Sequence, residues 1–401
     1  MSARRFVGTW GAYTYAALGL ACGDPVNDDT DGGETGEDPM CEVAKPAALT
    51  LEPGPRALSL VARVDDIPGI ADQPTDSGRR ISALWPHLGR VHLGYGDYDQ
   101  NTGPISMVSY VPADDAFETH GEASTEEVQR FLSYDGELFT SNVDPRGHEY
   151  DGSVFRLETA CGDWEEAAPI DGAVHTYALL EHEGRIWVGT GSVVAAPALV
   201  MSSDDGGRSW REEHAVESGP ESFTRILDGA ALGDRMLFTG RSYPTEGATN
   251  FAWLRDGETE TWSPVTGVPD VYRVIPLVFA DQMLVLAWSG DLGKSDGFAD
   301  GYRLEGDALV SHEWFPADFT PINWHVAAPR PEDAPWLWVL GKQDSQTVLL
   351  ATSDLQTWEP IASLSEVDAT PVRSLAYADN DVFLGASNGD LYVLADVFEP
   401  G

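Results

Sequence analysis

The stretch Ser203–Trp210 reads S-D-D-G-G-R-S-W, preceded by the apolar run Leu199-Val200-Met201. Its residues suit a tight turn between two strands. The Asp205 carboxylate can accept hydrogen bonds from its own turn's backbone, Gly207 can take a positive φ, and the Trp210 indole can pack between neighbouring sheets.

Outward from this turn the chain repeats. Short apolar runs recur in sets, such as Ile186-Trp187-Val188, Met236-Leu237-Phe238, Met283-Leu284-Val285 and Trp336-Leu337-Trp338. An aromatic residue marks the end of each set: Phe117, Trp164, Trp210, Trp262, Trp314 and Trp358, at spacings of 47, 46, 52, 52 and 44 residues. Ser353–Trp358 is a contracted version of the turn, and Asp256-Gly257 before Trp262 is a weaker echo. A period of this length signals a propeller of four-stranded antiparallel blades. The last unit, Val382–Gly385 and Leu391–Leu394, lacks a fourth strand, and the upstream run Ala57–Val64 is free to supply it. Pairing the termini in this way protects sheet edges. The expectation is an all-β, seven-bladed propeller over residues 46–401, its N-terminal strand closing the last blade.

Composition agrees with many short strands: 401 residues with 41 Gly and 26 Pro. Formal net charge is -42, from 66 acids against 24 Lys and Arg. A field of that sign repels nucleic acid and anionic membranes. Only Lys45, Lys294 and Lys342 are lysines, so the positions of the arginines carry information.

The N-terminus reads as a targeting segment. Arg4 and Arg5 precede the apolar run Phe6–Leu20 and then Ala21-Cys22. This resembles a bacterial lipoprotein signal over residues 1–22, with Cys22 lipidated, although Gly19 stands where a leucine is usual. Residues 23–45 form an acidic, low-complexity tether. Cys41 and Cys161 are then left to pair as a disulfide in an oxidising compartment. These readings place a monomer at the bacterial cell envelope, periplasmic or at the cell surface, touching membrane only through its lipid.

Ser203, Asp205, Gly207, Ser209 and Trp210 match the Asp-box, and the chain thereby resembles the BNR-repeat, sialidase-like and sortilin-like β-propellers. The resemblance implies that this turn joins the third and fourth strands of a blade, on the face opposite an active site. Sialidase activity is not implied: no Arg-Ile-Pro signature is present, and Tyr272–Pro276 (Y-R-V-I-P) is a near miss. The segments Gly94–Ile105 and Thr125–Phe131 resemble a bacterial propeller family of unnamed activity.

One register points to a ligand. Arg80, Arg130, His175, Arg225, Arg273, His325 and Arg373 recur at spacings of 50, 45, 50, 48, 52 and 48 residues, each shortly before an apolar strand. The pattern predicts a cationic ring at one mouth of the central channel. Guanidinium groups gathered there suit carboxylate, sulfate or phosphate, or else stitch neighbouring blades through acids. Loops bearing Asp97, Asp99, Asp144 and Glu149 should rim the same mouth. Asp97, Asp99 and Asn101 offer oxygens at alternate positions, as calcium loops do, but the glycine and the twelfth-position glutamate of such loops are missing. No metal-hydrolase spacing, phosphate loop or nucleophile elbow occurs. The first reading is a binding module for an anionic glycan, small molecule or protein. The alternative is a carbohydrate-active enzyme, a glycosidase or lyase, using the loop carboxylates. A purely structural propeller is the third.

Overall fold

A computed structural model describes residues 58–144, 151–288, 298–329, 333–344, 346–364 and 372–398. The residues expected to carry the signal and tether, with Cys22 and Cys41, lie outside this set, as do Glu149, Lys45 and Lys294.

The described chain is all-β apart from two 3-10 turns. β1 (Ser59–Ala62) leads into a first sheet of β2 (Ala83–His87), β3 (Arg90–Gly94), β4 (Ile105–Val111) and β5 (Ala116–Ala123). The next comprises β6 (Phe131–Tyr134) and β7 (Glu137–Ser141), then β8 (Asp151–Gly152), β9 (Val154–Leu157), β10 (Glu165–Glu166) and β11 (Ile170–Asp171). Of these, β6, β7, β9 and β10 form a four-stranded blade, while β8 and β11 pair as a separate ribbon. β12 (His175–His182), β13 (Arg185–Gly191), β14 (Ala198–Ser203) and β15 (Arg211–Val216) follow. β16 (Phe223–Leu232), β17 (Arg235–Tyr243), β18 (Thr249–Asp256) and β19 (Thr261–Pro264) continue the same sheet.

Two further blades are β20 (Arg273–Phe279) to β21 (Gln282–Trp288), β22 (Phe298–Glu305) and β23 (Ala308–Ser311), and β24 (Phe319–Ala327) to β25 (Trp336–Gln343), β26 (Gln346–Thr352) and β27 (Glu359–Ser363). The last comprises β28 (Val372–Ala378), β29 (Asp381–Ala386) and β30 (Leu391–Leu394), with β1 as its fourth strand. β1 runs antiparallel to β30, with Ser59 opposite Val393 and Ala62 opposite Leu391. β28 lies against both β24 and β2, which brings the last sheet beside the first and gives a propeller-like ring.

The expected count of seven four-stranded blades is corrected here. Five sheets are four-stranded antiparallel blades, and β12 to β19 form one eight-stranded sheet. The fusion has a local cause. Gly191, ending β13, pairs with Arg225 in β16. A Cβ on Gly191 would stand 2.9 Å from the Tyr177 ring on β12, so glycine lets the end of this hairpin pack closely on its own partner strand. The contact continues as Ser192 N–H donates to Thr224 O at 2.9 Å and Ala195 N–H to Ser222 O at 2.8 Å.

The core lies between sheets rather than at the ring's centre. Trp187, Trp338, Phe139, Phe238 and Phe383 are fully buried in layers between neighbouring sheets. The 203–210 turn joins β14 to β15 as expected. Asp205 accepts from Ser209 N–H at 2.9 Å and from its hydroxyl at 2.6 Å, and Ser203 Oγ accepts from Gly207 N–H at 2.8 Å. Trp210 Nε1 donates to Ala168 O at 2.8 Å, fastening this turn to the preceding β10–β11 segment. Among the described residues no helix is long and apolar enough to cross a membrane.

Candidate functional site

Five members of the seven-residue register meet at one cavity. Arg80, Arg130, Arg273, His325 and Arg373 line a space of about 370 Å³ together with Trp85, Trp288 and Trp324. All five four-stranded blades contribute to this wall. Arg80 and Arg130 stand just before inner strands and Arg273 and Arg373 at the start of theirs, whereas His325 lies near the far end of β24. The aromatic walls are braced by their neighbours. Trp85 Nε1 donates to Ser133 Oγ at 2.8 Å, and Trp324 meets Phe298 edge-on with ring centres 5.1 Å apart.

His175 and Arg225 do not join the other five. Arg225 opens on a separate recess with Val174, Ser192, Val193, Val194 and Phe223. His175 bonds through Nδ1 to Val143 O, with Asp144 Oδ1 at 3.5 Å. Burial lowers both His175 and His325 to about 4, so near neutrality the register's charge comes from its arginines alone. The expected ring of seven cations is therefore a cluster of four arginines and a neutral imidazole, with a fifth arginine apart.

Two acids that sequence reasoning passed over govern this cavity. Asp228 is fully buried and forms an ion pair with Arg130 and a bidentate one with Arg273, at 2.7 and 3.2 Å. The two guanidinium groups hold its carboxyl below the ordinary range despite its burial. Its signal was present as an acid inside the inner-strand run T-R-I-L-D-G-A-A-L (Thr224–Leu232). A register shift between Ile226 and Asp228 turns it towards the axis.

Glu127 lines the cavity and accepts from Gln129 Nε2 at 2.8 Å. Burial, with a smaller push from Asp97, raises it to about 7, against the pull of Arg80 and Arg273. Arg80 has no side-chain hydrogen bond or ion pair among the described residues, and its Nε is buried. Arg373 donates through Nε to Ser387 Oγ at 2.7 Å.

The segments Gly94–Ile105 and Thr125–Phe131 dock on each other. Gly96 pairs with Glu127, Asp97 N–H donates to Glu126 O at 3.0 Å, and Val128 N–H to Tyr95 O at 2.9 Å. Gly96 has φ of 123°, and a Cβ there would stand 2.3 Å from Glu126 O. This fixes the loop so that Tyr98 comes within electrostatic reach of Tyr272, Arg225 and Tyr177 from distant sheets. Asp97 accepts from Thr75 Oγ1 at 2.7 Å, whereas Asp99 is exposed. Among the described residues no three His, Cys, Asp or Glu side chains are grouped to hold a metal. Cys161 is exposed, 3.5 Å from Arg90 Nη2.

No family model and no curated protein matches this sequence. Solved structures do. A catalytically inactive virginiamycin B lyase from Staphylococcus aureus, solved with quinupristin, is 13% identical over 80% of this chain and 97% of its own, with a TM-score of 0.48. A xyloglucanase from Xanthomonas campestris is 13% identical over 85% of this chain and 54% of its own, at 0.47. A computationally designed protein is 13% identical over 85% and 100%, at 0.45. Likeness at this level carries no argument about this chain's family, ligand or reaction.

Proposed function

We propose that this propeller is a binding module that takes a small anionic ligand, such as an acidic sugar, into the 370 Å³ cavity. One observation carries the reading. In a chain of net charge -42, four arginines converge on an aromatic-lined cavity, and Arg80 keeps its guanidinium without a carboxylate partner among the described residues. An unpaired guanidinium beside three indoles favours a ligand with an anionic group and a flat apolar face. A glycosidase or lyase of the same site is the second reading, and Glu127, raised to about 7, favours it as a general acid or base. Binding is preferred because glycoside hydrolysis ordinarily needs two working carboxyl groups. The other acid near this cavity, Asp228, is held by two arginines. An anchorage at the bacterial envelope through Cys22 belongs to the same proposal and rests on the sequence.

Native mass spectrometry against a panel of acidic sugars and carboxylic metabolites, with neutral analogues as controls, tests the reading. An anionic member should be retained by wild type, and Arg80→Gln should weaken it about tenfold with the melting temperature unchanged. Retention of neutral analogues alone would overturn it. Turnover of a retained sugar would favour the second reading.

A further inference from the structure

We infer that Arg225 forms a second, independent site, shaped for a small monocarboxylate bearing an apolar or aromatic group. Its guanidinium carbon lies 5.1 Å from the Phe223 ring centre, 5.4 Å from Tyr243 and 5.6 Å from Tyr177. Phe223 and Tyr243 are themselves stacked, 4.7 Å apart and 14° from parallel. Three rings therefore hold one guanidinium in place. Among the described residues it makes no ion pair and no side-chain hydrogen bond, and its Nε is buried without a partner. Arg130 and Arg273 are different, since both are held by Asp228. A clamped guanidinium with unused N–H groups has already lost its rotamer freedom, so a carboxylate meets a pre-formed fork.

The surroundings define what the carboxylate carries. The recess beside Arg225 presents Val174, Val193, Val194 and Phe223, with Ser192 as its one hydroxyl side chain. Ser192 Oγ accepts from Thr224 N–H at 3.0 Å, and the Gly191–Arg225 pairing sets the two walls at a fixed distance. The same fusion that makes β12 to β19 one sheet thus builds the recess. Val194, 58% exposed, stands at its rim. A bare sulfate would find the arginine but nothing for the apolar wall, whereas a ring or branched chain on the acid would cover it.

Crystals soaked in 4-bromobenzoate, read by the bromine anomalous signal and paired with calorimetry using benzoate, test the site. Bromine is expected beside Arg225 and Val194. Benzoate affinity should fall about tenfold in Arg225→Gln while Arg80→Gln leaves this component in place. Val194→Glu puts a like charge at an exposed rim position and should abolish binding even if Arg225→Gln fails to fold. Bromine found only in the central cavity, no bromine and no heat, or sulfate binding as well as benzoate would each overturn the inference. Because Arg80 serves only the central cavity, its variant separates failure of that site from failure of this one.

Discussion

Glu127, half-buried, and Asp228, fully buried, are both acids near one cluster of arginines, yet their surroundings drive them in opposite directions. Asp228 has two guanidinium groups in direct contact and stays charged. Glu127 accepts from a neutral amide, feels its arginines at a distance, and is raised from 4.5 to about 7. The sign of the linkage follows. With the folded value above the unfolded one, the stabilising contribution is full below about 4.5 and is lost as pH rises through about 7. Thermal melts across this window should show a component that Glu127→Gln removes, and identical pH profiles for the two proteins would refute the assignment. An anion in the cavity favours the protonated form, so its affinity should rise as pH falls through about 7 and flatten in Glu127→Gln. Asp228→Asn leaves two half-buried guanidinium groups unpaired and should cost about 2–4 kcal/mol in urea unfolding; a loss below about 1 kcal/mol, of the size of a surface pair, would show the triad to be dispensable.

Among the strands, the β14–β15 turn is stapled by side chains, and these contacts belong to stability. The Ser209 hydroxyl, followed by backbone donors and Ser203, holds Asp205 down at about 2. Its contribution is present above the ordinary 3.8 and disappears as pH falls through about 2. Trp210 is half-buried and bonded to Ala168, so Trp210→Ala should cost about 3 kcal/mol and leave ligand affinity at either site unchanged. A loss of affinity with an unchanged melting temperature would place the turn on the binding face. The turn was legible because every contact in it spans a few residues and each residue type has one evident task. Asp354 repeats it, accepting from Gln356 and Thr357 N–H at 2.8 Å each. The joining of β13 to β16 was not legible, since Gly191 and Arg225 look like an ordinary glycine and one more member of the arginine register.

At the scale of the whole ring, periodicity marked the entry to the inner strands for the four arginines that meet at one cavity, but not for His325, which reaches that cavity from near the far end of β24. It could not show that β12 to β19 would fuse, nor that Tyr98 would reach from the first sheet towards Tyr272. Such contacts depend on ring geometry, which no local pattern encodes. The pairing of β1 with β30 was anticipated from an unpaired strand upstream and a missing one at the end. Removing residues 59–62 should expose the β30 edge, lower the melting temperature and produce concentration-dependent self-association. A monomer of unchanged stability in sedimentation velocity would contradict this.

That pairing also orders events in time. β1 is the first described strand to be synthesised, and its partner is the last. During synthesis the earliest strand must wait, unpaired, until almost the whole ring has been made. The loop it finally closes spans nearly the entire described chain, so closure comes late and carries a large entropic cost. Released chains truncated before Leu391 should remain sensitive to protease, and chains that include Leu394 should become resistant. Resistance appearing much earlier would mean that the open ring already stands without its clasp.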